Sequence, residues 1–264
     1  MASLENKVVW ITGASSGIGE GIVKSLADKN VKLILSSRRS EVLEEVRVAC
    51  PHPDNVKILT LDLSKPETLE AKANEALDLF GRVDIIIHSG GISQRAFAMD
   101  TDIAVHRRLM EVNYFSTIIL TRALLPSMVK NGFGHIVAIS SLVGKFGSPY
   151  RSGYSASKHA LHGYYDSLRA ETWRQGIKVT IATPGFIKTN VSLNALTEHG
   201  EKLNSMDQGQ EKGMSAEECG RQIIKAIEKE KEEVRIGGKE TIGILIKRFF
   251  PGRFSKMIRK MNVR

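Results

Sequence analysis

Val8-Val9-Trp10-Ile11-Thr12 runs directly into Gly13-Ala14-Ser15-Ser16-Gly17-Ile18-Gly19, and this junction is the strongest indication of the fold. Its first part is a continuous apolar run, which is typical of a strand buried on both faces. Its second part permits a tight turn whose backbone can approach a pyrophosphate at the start of the following helix. Ser15 and Ser16 can add hydroxyl donors. The spacing differs from Gly-x-Gly-x-x-Gly, so an ordinary strand-to-helix turn is the alternative interpretation.

Six further apolar, β-branched runs follow, and amphipathic helical patterns fill the gaps between them. The predicted strands are Val8–Thr12, Lys32–Ser36, Lys57–Leu61, Val83–His88, His135–Ser140, Lys178–Thr183 and Glu233–Ile236. The predicted helices are Gly17–Lys29, Glu41–Ala49, Pro66–Phe80, Asp102–Lys130, Ser155–Arg174 and Ala216–Lys229. This alternation predicts a single-domain α/β fold, a doubly wound, Rossmann-like parallel sheet of about seven strands with helices on both faces.

Charge is distributed unevenly along the 264 residues. Residues 239–264 contain eight Lys or Arg and one acid, Glu240, so +7 of the formal net charge of +9 lies there. The rest of the chain therefore lacks the basic surface of a nucleic-acid-binding protein. We expect the domain to span 1–238, and 239–264 to be a basic amphipathic extension rather than a separate domain.

The cysteine content favours a reducing compartment. Cys50 and Cys219 are far apart, and neither lies in a Cys-x-x-Cys motif. Met1–Val9 has no apolar signal core, and no stretch is long and apolar enough to span a bilayer. These features predict a cytoplasmic protein, with peripheral contact at a membrane surface as the alternative.

The end of the second predicted strand indicates which dinucleotide would bind. It reads Ser36-Ser37-Arg38-Arg39, without the acid that would bind a ribose 2′-hydroxyl. Because a guanidinium suits a 2′-phosphate, Arg38 and Arg39 favour NADP(H) over NAD(H). The alternative is that both are solvated residues at a helix start. Asp62 and Leu63, after the third strand, would lie near the adenine, or Asp62 would cap the next helix with Ser64.

Tyr154 and Lys158 lie four residues apart and so share one face of a predicted helix. A lysine ammonium beside a phenol favours the phenolate, so the pKa of Tyr154 should fall from its unperturbed value of about 10. A tyrosine tuned in this way can act as an acid and base near neutral pH.

The chain also contains Asn113, Ser141 and the pair Pro184-Gly185 followed by Thr189. With the glycine-rich turn, Asp62 and the Tyr154–Lys158 pair, these motifs make it resemble the short-chain dehydrogenase/reductase family from Lys7 to Gly237. The resemblance implies that Tyr154 exchanges a proton with the reacting oxygen. Lys158 would lower the Tyr154 pKa and hold the nicotinamide ribose. Ser141 would hydrogen-bond the reacting oxygen. Ser140 is a competing candidate, but the gap of 13 residues from Ser141 to Tyr154 is the family's usual spacing and favours Ser141. Asn113 would kink its helix and hold a water. Contacts to the nicotinamide end would come from Pro184, Gly185, Ile187 and Thr189.

One motif departs from the family pattern. After the fourth strand the family usually has Asn-Asn-Ala-Gly, whereas this chain has His88-Ser89-Gly90-Gly91. Ser89 and Gly90 can lend the same backbone groups to the adenosine ribose, and His88 is interpreted as a packed side chain. The run 91–95 resembles the member-seven subgroup, which includes membrane-associated carbonyl reductases. Relatives pair through the helices that carry Asn113 and Tyr154, so we expect a homodimer or homotetramer.

Other chemistries are disfavoured. The seven histidines form no spacing such as His-Glu-x-x-His, so no metal site is predicted. His159 and His162 are interpreted as solvated positions beside Lys158. No Gly-x-Ser-x-Gly motif is present, which argues against a hydrolase.

Two segments remain after these assignments. Phe186–Gly213 is polar and weakly patterned, and it follows a strand's carboxyl end, where ligands bind in such folds. In the extension, Phe254, Met257, Ile258 and Met261 form one helical stripe after a turn at Pro251-Gly252. The stripe would dock on the body or a partner subunit, or lie on an anionic membrane.

The sequence therefore predicts an NADP(H)-dependent oxidoreductase that interconverts a ketone or aldehyde and an alcohol, with a partly apolar substrate. One alternative is a 3-oxoacyl-thioester reductase acting on a carrier protein, whose acidic surface the basic extension could suit. Another is a non-catalytic NADP(H)-binding sensor or scaffold.

Overall fold

The computed structural model describes residues 3–260, except for the side chain of residue 208. Its strands are β1 Val8–Thr12, β2 Lys32–Ser36, β3 Val56–Ile58, β4 Ile85–His88, β5 Gly134–Ile139, β6 Ile177–Pro184, β7 Ile187–Lys188, β8 Met214–Ser215 and β9 Glu233–Ile236. Its α-helices are α1 Gly17–Leu26, α2 Ser40–Val48, α3 Pro66–Phe80, α4 Ile103–Met110, α5 Ser116–Lys130, α6 Ser152–Thr172, α7 Gln208–Glu211, α8 Ala216–Glu228, α9 Ile242–Phe249 and α10 Pro251–Ile258.

Seven of these strands form one parallel sheet in the order β3-β2-β1-β4-β5-β6-β9. The remaining two, β7 and β8, pair separately. The chain builds outward from β1 to β3 and then returns to place β4 on the other side of β1. The doubly wound fold expected from the sequence is confirmed, and its switch point lies between β1 and β4.

Apolar side chains cover both faces of the sheet. One core joins alternate strand residues such as Ile11 and Ile87 to α1 and α8, and the other joins Trp10 and Ile86 to α3, α5 and α6. The indole Nε1 of Trp10 donates a hydrogen bond to Ser36 Oγ at 2.8 Å, so this buried ring keeps its polar group paired. Burial of each large apolar side chain stabilises the fold by roughly 1.5–3 kcal/mol.

Most predicted elements begin or end within three residues of the observed bounds, and two of the differences have a clear structural reason. The third strand ends at Ile58, because beyond it only single backbone hydrogen bonds from Leu59 and Leu61 reach the β2 side. The predicted helix Asp102–Lys130 contains a turn of π-helix at Glu111–Phe115 that separates α4 from α5. Cys50 and Cys219 are buried free thiols, as expected. Among the described residues, no helix is both long and apolar enough to cross a membrane.

The extension folds back onto the body as α9 and α10. Ile244 and Phe254 are buried in a small cluster with Leu142, Val143 and Phe146. Of the apolar helical stripe predicted here, Phe254 is buried on the body and Ile258 packs partly against it, whereas Met257 is exposed. Met261, the last member of the stripe, lies outside the described residues.

Candidate active site

A cavity of about 990 Å³ opens at the carboxyl ends of β1, β4, β5 and β6. It spans the switch point, the place where ligands bind in open α/β sheets. The glycine-rich turn lines one end, and Ser141, Tyr154 and Lys158 line the middle. The far end is lined by α9 and α10 together with part of the 186–213 segment, and it reaches solvent at the exposed Met257. All of the predicted site residues except Asn113, which is fully buried, therefore line one cavity.

The glycine-rich turn is too compact for larger residues. Gly13 and Gly17 have φ angles of 70° and 57°, in the left-handed region. A Cβ at Gly13 would lie 2.7 Å from Gly90, and one at Gly19 would lie 2.2 Å from the Gly13 carbonyl oxygen. The turn delivers the chain to the start of α1, where Ser16 makes no side-chain capping bond. The first amide groups of α1 thus remain for a ligand, and the turn fits a pyrophosphate.

Both arginines after β2 line the cavity near this turn. Arg39 Nη2 donates to Ser15 Oγ at 3.0 Å, so a cation is fixed beside the turn. Arg38 lies near Asp62. Burial would raise the pKa of Asp62, but hydrogen bonds from the Ser64 amide and hydroxyl, with the charge of Arg38, hold it below its ordinary value.

Asp62 closes a local turn before α3. Its Oδ1 accepts from the Ser64 amide at 3.0 Å and the Ser64 hydroxyl at 2.7 Å. Helix α3 begins at Pro66 after Lys65, without a side-chain capping bond, so Asp62 bonds Ser64 but does not cap the helix. Asp62 also lines the cavity. Leu63 packs against Gly90, where an added Cβ would meet Leu63 Cδ1 at 2.4 Å.

The backbone of the run that departs from the family pattern, His88-Ser89-Gly90-Gly91, lies at the cavity. Ser89 and Gly90 line it, and the Gly90 amide donates to Thr12 Oγ1 at 3.3 Å. His88 is buried, and its Nε2 lies 2.9 Å from Thr121 Oγ1. Burial lowers the pKa of His88 to about 3, so it is a neutral packed side chain, as expected.

The π-helical turn places Asn113 in the site. Its Oδ1 accepts from the Ile92 amide, and its Nδ2 donates to the Ile92 carbonyl and to Ser157 Oγ, each at 2.9 Å. A Cβ at Gly91 would lie 3.0 Å from Asn113 Oδ1 and 3.5 Å from Lys158 Nζ. The helix irregularity implied by the resemblance is therefore present, and it places Asn113 beside Gly91, which Lys158 also approaches.

Tyr154 is hydrogen-bonded with Ser141, and both line the cavity. The competing Ser140 turns away, since its Oγ donates to the Lys158 carbonyl at 3.1 Å and lies 3.1 Å from His162 Nε2. Spacing alone favoured Ser141, and its contact with Tyr154 agrees with that choice.

The prediction that Lys158 lowers the pKa of Tyr154 is wrong. Burial raises the pKa of Tyr154 above its ordinary value, and the opposing influences are the bond with Ser141 and the charges of Arg151 and Arg95. Lys158 Nζ instead donates to the Ile139 carbonyl at 2.8 Å and lies 5.8 Å from the tyrosine ring centroid. Burial lowers the pKa of Lys158 itself to about 8.

The expectation for the two histidines on α6 is half wrong. His159 is exposed, as predicted, but His162 is buried against Ser140. Burial lowers the pKa of His162 to about 4. Its helix position faces the sheet, where the Ser140 hydroxyl gives it a polar partner.

A buried cluster of charged side chains beside Tyr154 was not predicted from the sequence. Asp207 Oδ2 lies 2.6 Å from Arg151 Nη2 and 3.4 Å from Arg95 Nη2, and all three side chains are buried. Both arginines line the cavity. Two cations share one carboxylate, which leaves a net positive charge near the phenol. Nothing in the sequence connects Asp207, in the weakly patterned segment, with residues so distant in the chain.

Gln94 was also missed as a positioning residue. Its Oε1 accepts from the amides of Gly153 and Tyr154 at 2.8 and 3.3 Å, so it caps the first turn of α6. Its Nε2 donates to Thr101 Oγ1 at 2.8 Å. The run 91–95, noted in the sequence only for its resemblance, thus holds the helix that carries Tyr154.

The predicted nicotinamide-end residues Pro184, Gly185, Ile187 and Thr189 all line the cavity. The Gly185 amide donates to the Ile236 carbonyl at 2.7 Å. A Cβ at Gly17 would lie 3.1 Å from Thr189 Cγ2, so the two ends of the site approach closely. Within residues 3–260, no group of His, Cys, Asp and Glu could hold a metal ion.

Comparison with known proteins gives consistent matches. The family profile described as short chain dehydrogenase matches residues 7–199. Dehydrogenase/reductase SDR family member 7B of Mus musculus is 41% identical over 263 residues, which cover 97% of this chain and 81% of that protein. Dehydrogenase/reductase SDR family protein 7-like of Anopheles gambiae is 44% identical over 241 residues, 88% of this chain and 75% of that protein.

A solved structure shares the architecture. The crystal structure of a short-chain dehydrogenase from Streptomyces avermitilis matches with a TM-score of 0.82 and 28% sequence identity. The match covers 98% of this chain and 100% of that chain.

Proposed function

Because the chain belongs to the short-chain dehydrogenase/reductase family, we propose that it is an NADP(H)-dependent oxidoreductase that interconverts a ketone or aldehyde and an alcohol. One observation carries the proposal. Tyr154 is hydrogen-bonded with Ser141 in the cavity that Lys158 also lines, and the buried Asn113 lies next to Gly91, as Lys158 does. A bound nicotinamide would supply or accept the hydride.

The protein's own groups handle the proton. In reduction, Tyr154 would donate its phenolic proton to the carbonyl oxygen. Ser141 would donate a hydrogen bond to the same oxygen as negative charge develops there. Lys158, with a pKa of about 8, can hold or release a proton near neutral pH. It can therefore return a proton to the Tyr154 phenolate after each reduction. The water that the family resemblance assigns to Asn113 would connect Lys158 to solvent.

The preference for NADP(H) is supported by charge. Arg39 is fixed by Ser15 at the edge of the glycine-rich turn, and Arg38 lies in the same part of the cavity. A 2′-phosphate there would gain charge-assisted hydrogen bonds from guanidinium groups. We propose that Asp62, Leu63, Ser89 and Gly90 hold the adenosine, and that Pro184, Gly185, Ile187 and Thr189 hold the nicotinamide end.

The substrate half of the cavity is partly apolar. Leu142, Val143 and Phe146 line it from the body, and Ile246 and Phe254 line it from the extension. This lining supports a substrate with a hydrophobic portion beside its carbonyl. Reduction is the direction we propose, since NADP pools are usually kept reduced.

The test is a carbonyl panel monitored by cofactor oxidation, with NADPH and NADH compared in parallel. We expect turnover with at least one apolar ketone or aldehyde and a preference for NADPH. Cofactor binding by thermal shift without turnover of any carbonyl would support a sensor instead. A preference for NADH would refute the role of the arginines.

We also propose self-association through the helices that carry Asn113 and Tyr154. Phe115, beside Asn113, exposes nearly half of its surface although its ring packs on Tyr114 at 5.1 Å. Light scattering should show a dimer or tetramer that Phe115→Ser weakens. A monomer at all concentrations would contradict the proposal.

A further inference from the structure

The two helices of the extension, α9 and α10, have an inner and an outer apolar face. Ile244 and Phe254 form the inner face and are buried. The rings of Phe254 and Phe146 lie 4.9 Å apart between centroids. This contact fixes the extension on the body, so the direction of its outer face is also fixed.

The outer face carries large apolar side chains that point into solvent. Ile242, Leu245 and Phe249 recur at helical spacing along α9. Phe250, between the two helices, and Met257, on α10, are also exposed. Phe249 is 65% exposed and Phe250 is 55% exposed. Such a concentration of exposed apolar groups in sixteen residues marks an interaction surface rather than ordinary surface scatter.

Basic side chains surround this outer face. The exposed cations are Lys247, Arg248, Arg253, Lys256, Arg259 and Lys260. In the part of the chain that the structure describes, none of them forms an ion pair. After Glu240 the sequence has no acid. Arg248 lies 6.0 Å from the Phe249 ring and Arg253 lies 5.5 Å from the Phe250 ring.

The same two helices form part of the cavity wall. Ile246, Phe254, Met257 and Ile258 line the cavity at its far end from the glycine-rich turn. Met257 belongs to both the cavity lining and the exposed outer face. Whatever binds the outer face therefore lies next to the mouth of the cavity.

We propose that the outer face of α9 and α10 binds the surface of an anionic lipid bilayer and thereby places the cavity mouth against it. Exposed phenylalanines can enter the headgroup region while arginines and lysines remain with the anionic headgroups. The attraction increases with each basic residue near the surface. A partly apolar substrate would then enter from the lipid layer, and this last step alone rests on the proposed function.

The test is co-sedimentation of the full chain with two kinds of vesicle. One contains phosphatidylcholine alone, and the other contains phosphatidylcholine and phosphatidylserine in a three-to-one ratio. We expect binding at low salt to the phosphatidylserine vesicles, weakened at high salt because the Debye length shortens. The double variants Phe249→Ser/Phe250→Ser and Arg253→Ser/Lys256→Ser should each bind roughly tenfold more weakly.

The matched control is Trp173→Ser/Arg174→Ser. This exposed pair also places a guanidinium over an aromatic ring, at 5.0 Å, but it lies at the end of α6, away from the extension. The control should bind vesicles like the unmodified chain. All altered side chains are exposed, so unchanged thermal unfolding verifies the fold.

Three results would overturn the proposal. They are no binding to phosphatidylserine vesicles at low salt, equal binding by the extension variants, or a subunit association that the extension variants abolish. The last result would make the outer face an interface between copies of the chain. Sedimentation needs no turnover, so failure of the carbonyl reaction would leave this test intact.

Discussion

The carboxylate of Asp207 lies 2.6 Å from the guanidinium of Arg151, three residues before Tyr154. Arg95 completes the cluster from the other side. Because the two cations share one carboxylate, the segment that carries Asp207 determines how much positive charge faces the phenol.

Asp207→Asn should therefore change both stability and acidity. Loss of the carboxylate leaves buried arginines without their counter-charge, which costs roughly 3 kcal/mol of the free energy of unfolding. The stronger positive field should lower the pKa of Tyr154 and move the pH profile of kcat to lower pH. Urea unfolding and initial rates across pH measure these effects. Glu211→Gln, an exposed carboxylate of the same segment, is the control, and an unshifted profile in Asp207→Asn would argue against the electrostatic role.

The arginines after β2 should govern cofactor choice. Arg39→Ala removes a guanidinium held by Ser15, so the KM for NADPH should rise about tenfold while the KM for NADH stays unchanged. Arg38→Ala should act in the same direction. Arg47→Ala, in the helix α2 that follows these arginines and paired with Glu44, serves as the control. Equal effects on both cofactors would mean that neither arginine reads the 2′-phosphate.

Gln94→Ala should weaken the start of α6. The amides of Gly153 and Tyr154 would lose their acceptor, with a loss of stability of roughly 1–2 kcal/mol. Since Tyr154 lies in this turn, kcat should fall more than the KM for the carbonyl rises. Gln94→Glu keeps the acceptor oxygens and should restore most of kcat. A variant with full kcat and reduced stability would limit Gln94 to a structural role.

Three buried histidines should make the protein sensitive to acid. Burial lowers the pKa of His88 to about 3 and those of His135 and His162 to about 4, whereas the unfolded chain binds these protons near pH 6.5. Each histidine therefore leaves stability unchanged above that pH and reduces it as pH falls toward 4, by up to about 1.4 kcal/mol per pH unit.

Urea unfolding between neutral pH and pH 4 measures that slope. His162→Gln should reduce it, while His159→Gln at an exposed position on α6 should not. A free energy of unfolding that stays constant over this range would show that folding does not lower the pKa values of these histidines.

Patterns within single elements predicted the frame of the site. Strand runs, the glycine-rich turn and the register of Ser141 with Tyr154 depend on local sequence, and the structure assembles them in one cavity. The π-helical turn at Asn113 leaves no trace in hydrophobic periodicity, and only the family resemblance implied it.

The errors concern interactions between distant segments. Asp207 meets Arg151 across 56 residues, and no spacing rule relates them. The Tyr154 pKa was predicted from its helical neighbour Lys158, whereas burial has the largest influence, and that depends on how the whole cavity closes. His162 became buried because the sheet covers that face of α6.

In the proposed reaction, Tyr154 is the acid and base that exchanges a proton with the carbonyl oxygen. The most direct test is Tyr154→Phe, assayed by single-turnover oxidation of bound NADPH after addition of a carbonyl that the unmodified chain reduces, with NADPH affinity measured alongside. The expected result is loss of turnover by at least about a thousandfold with little change in NADPH affinity. Turnover near that of the unmodified chain would contradict the account.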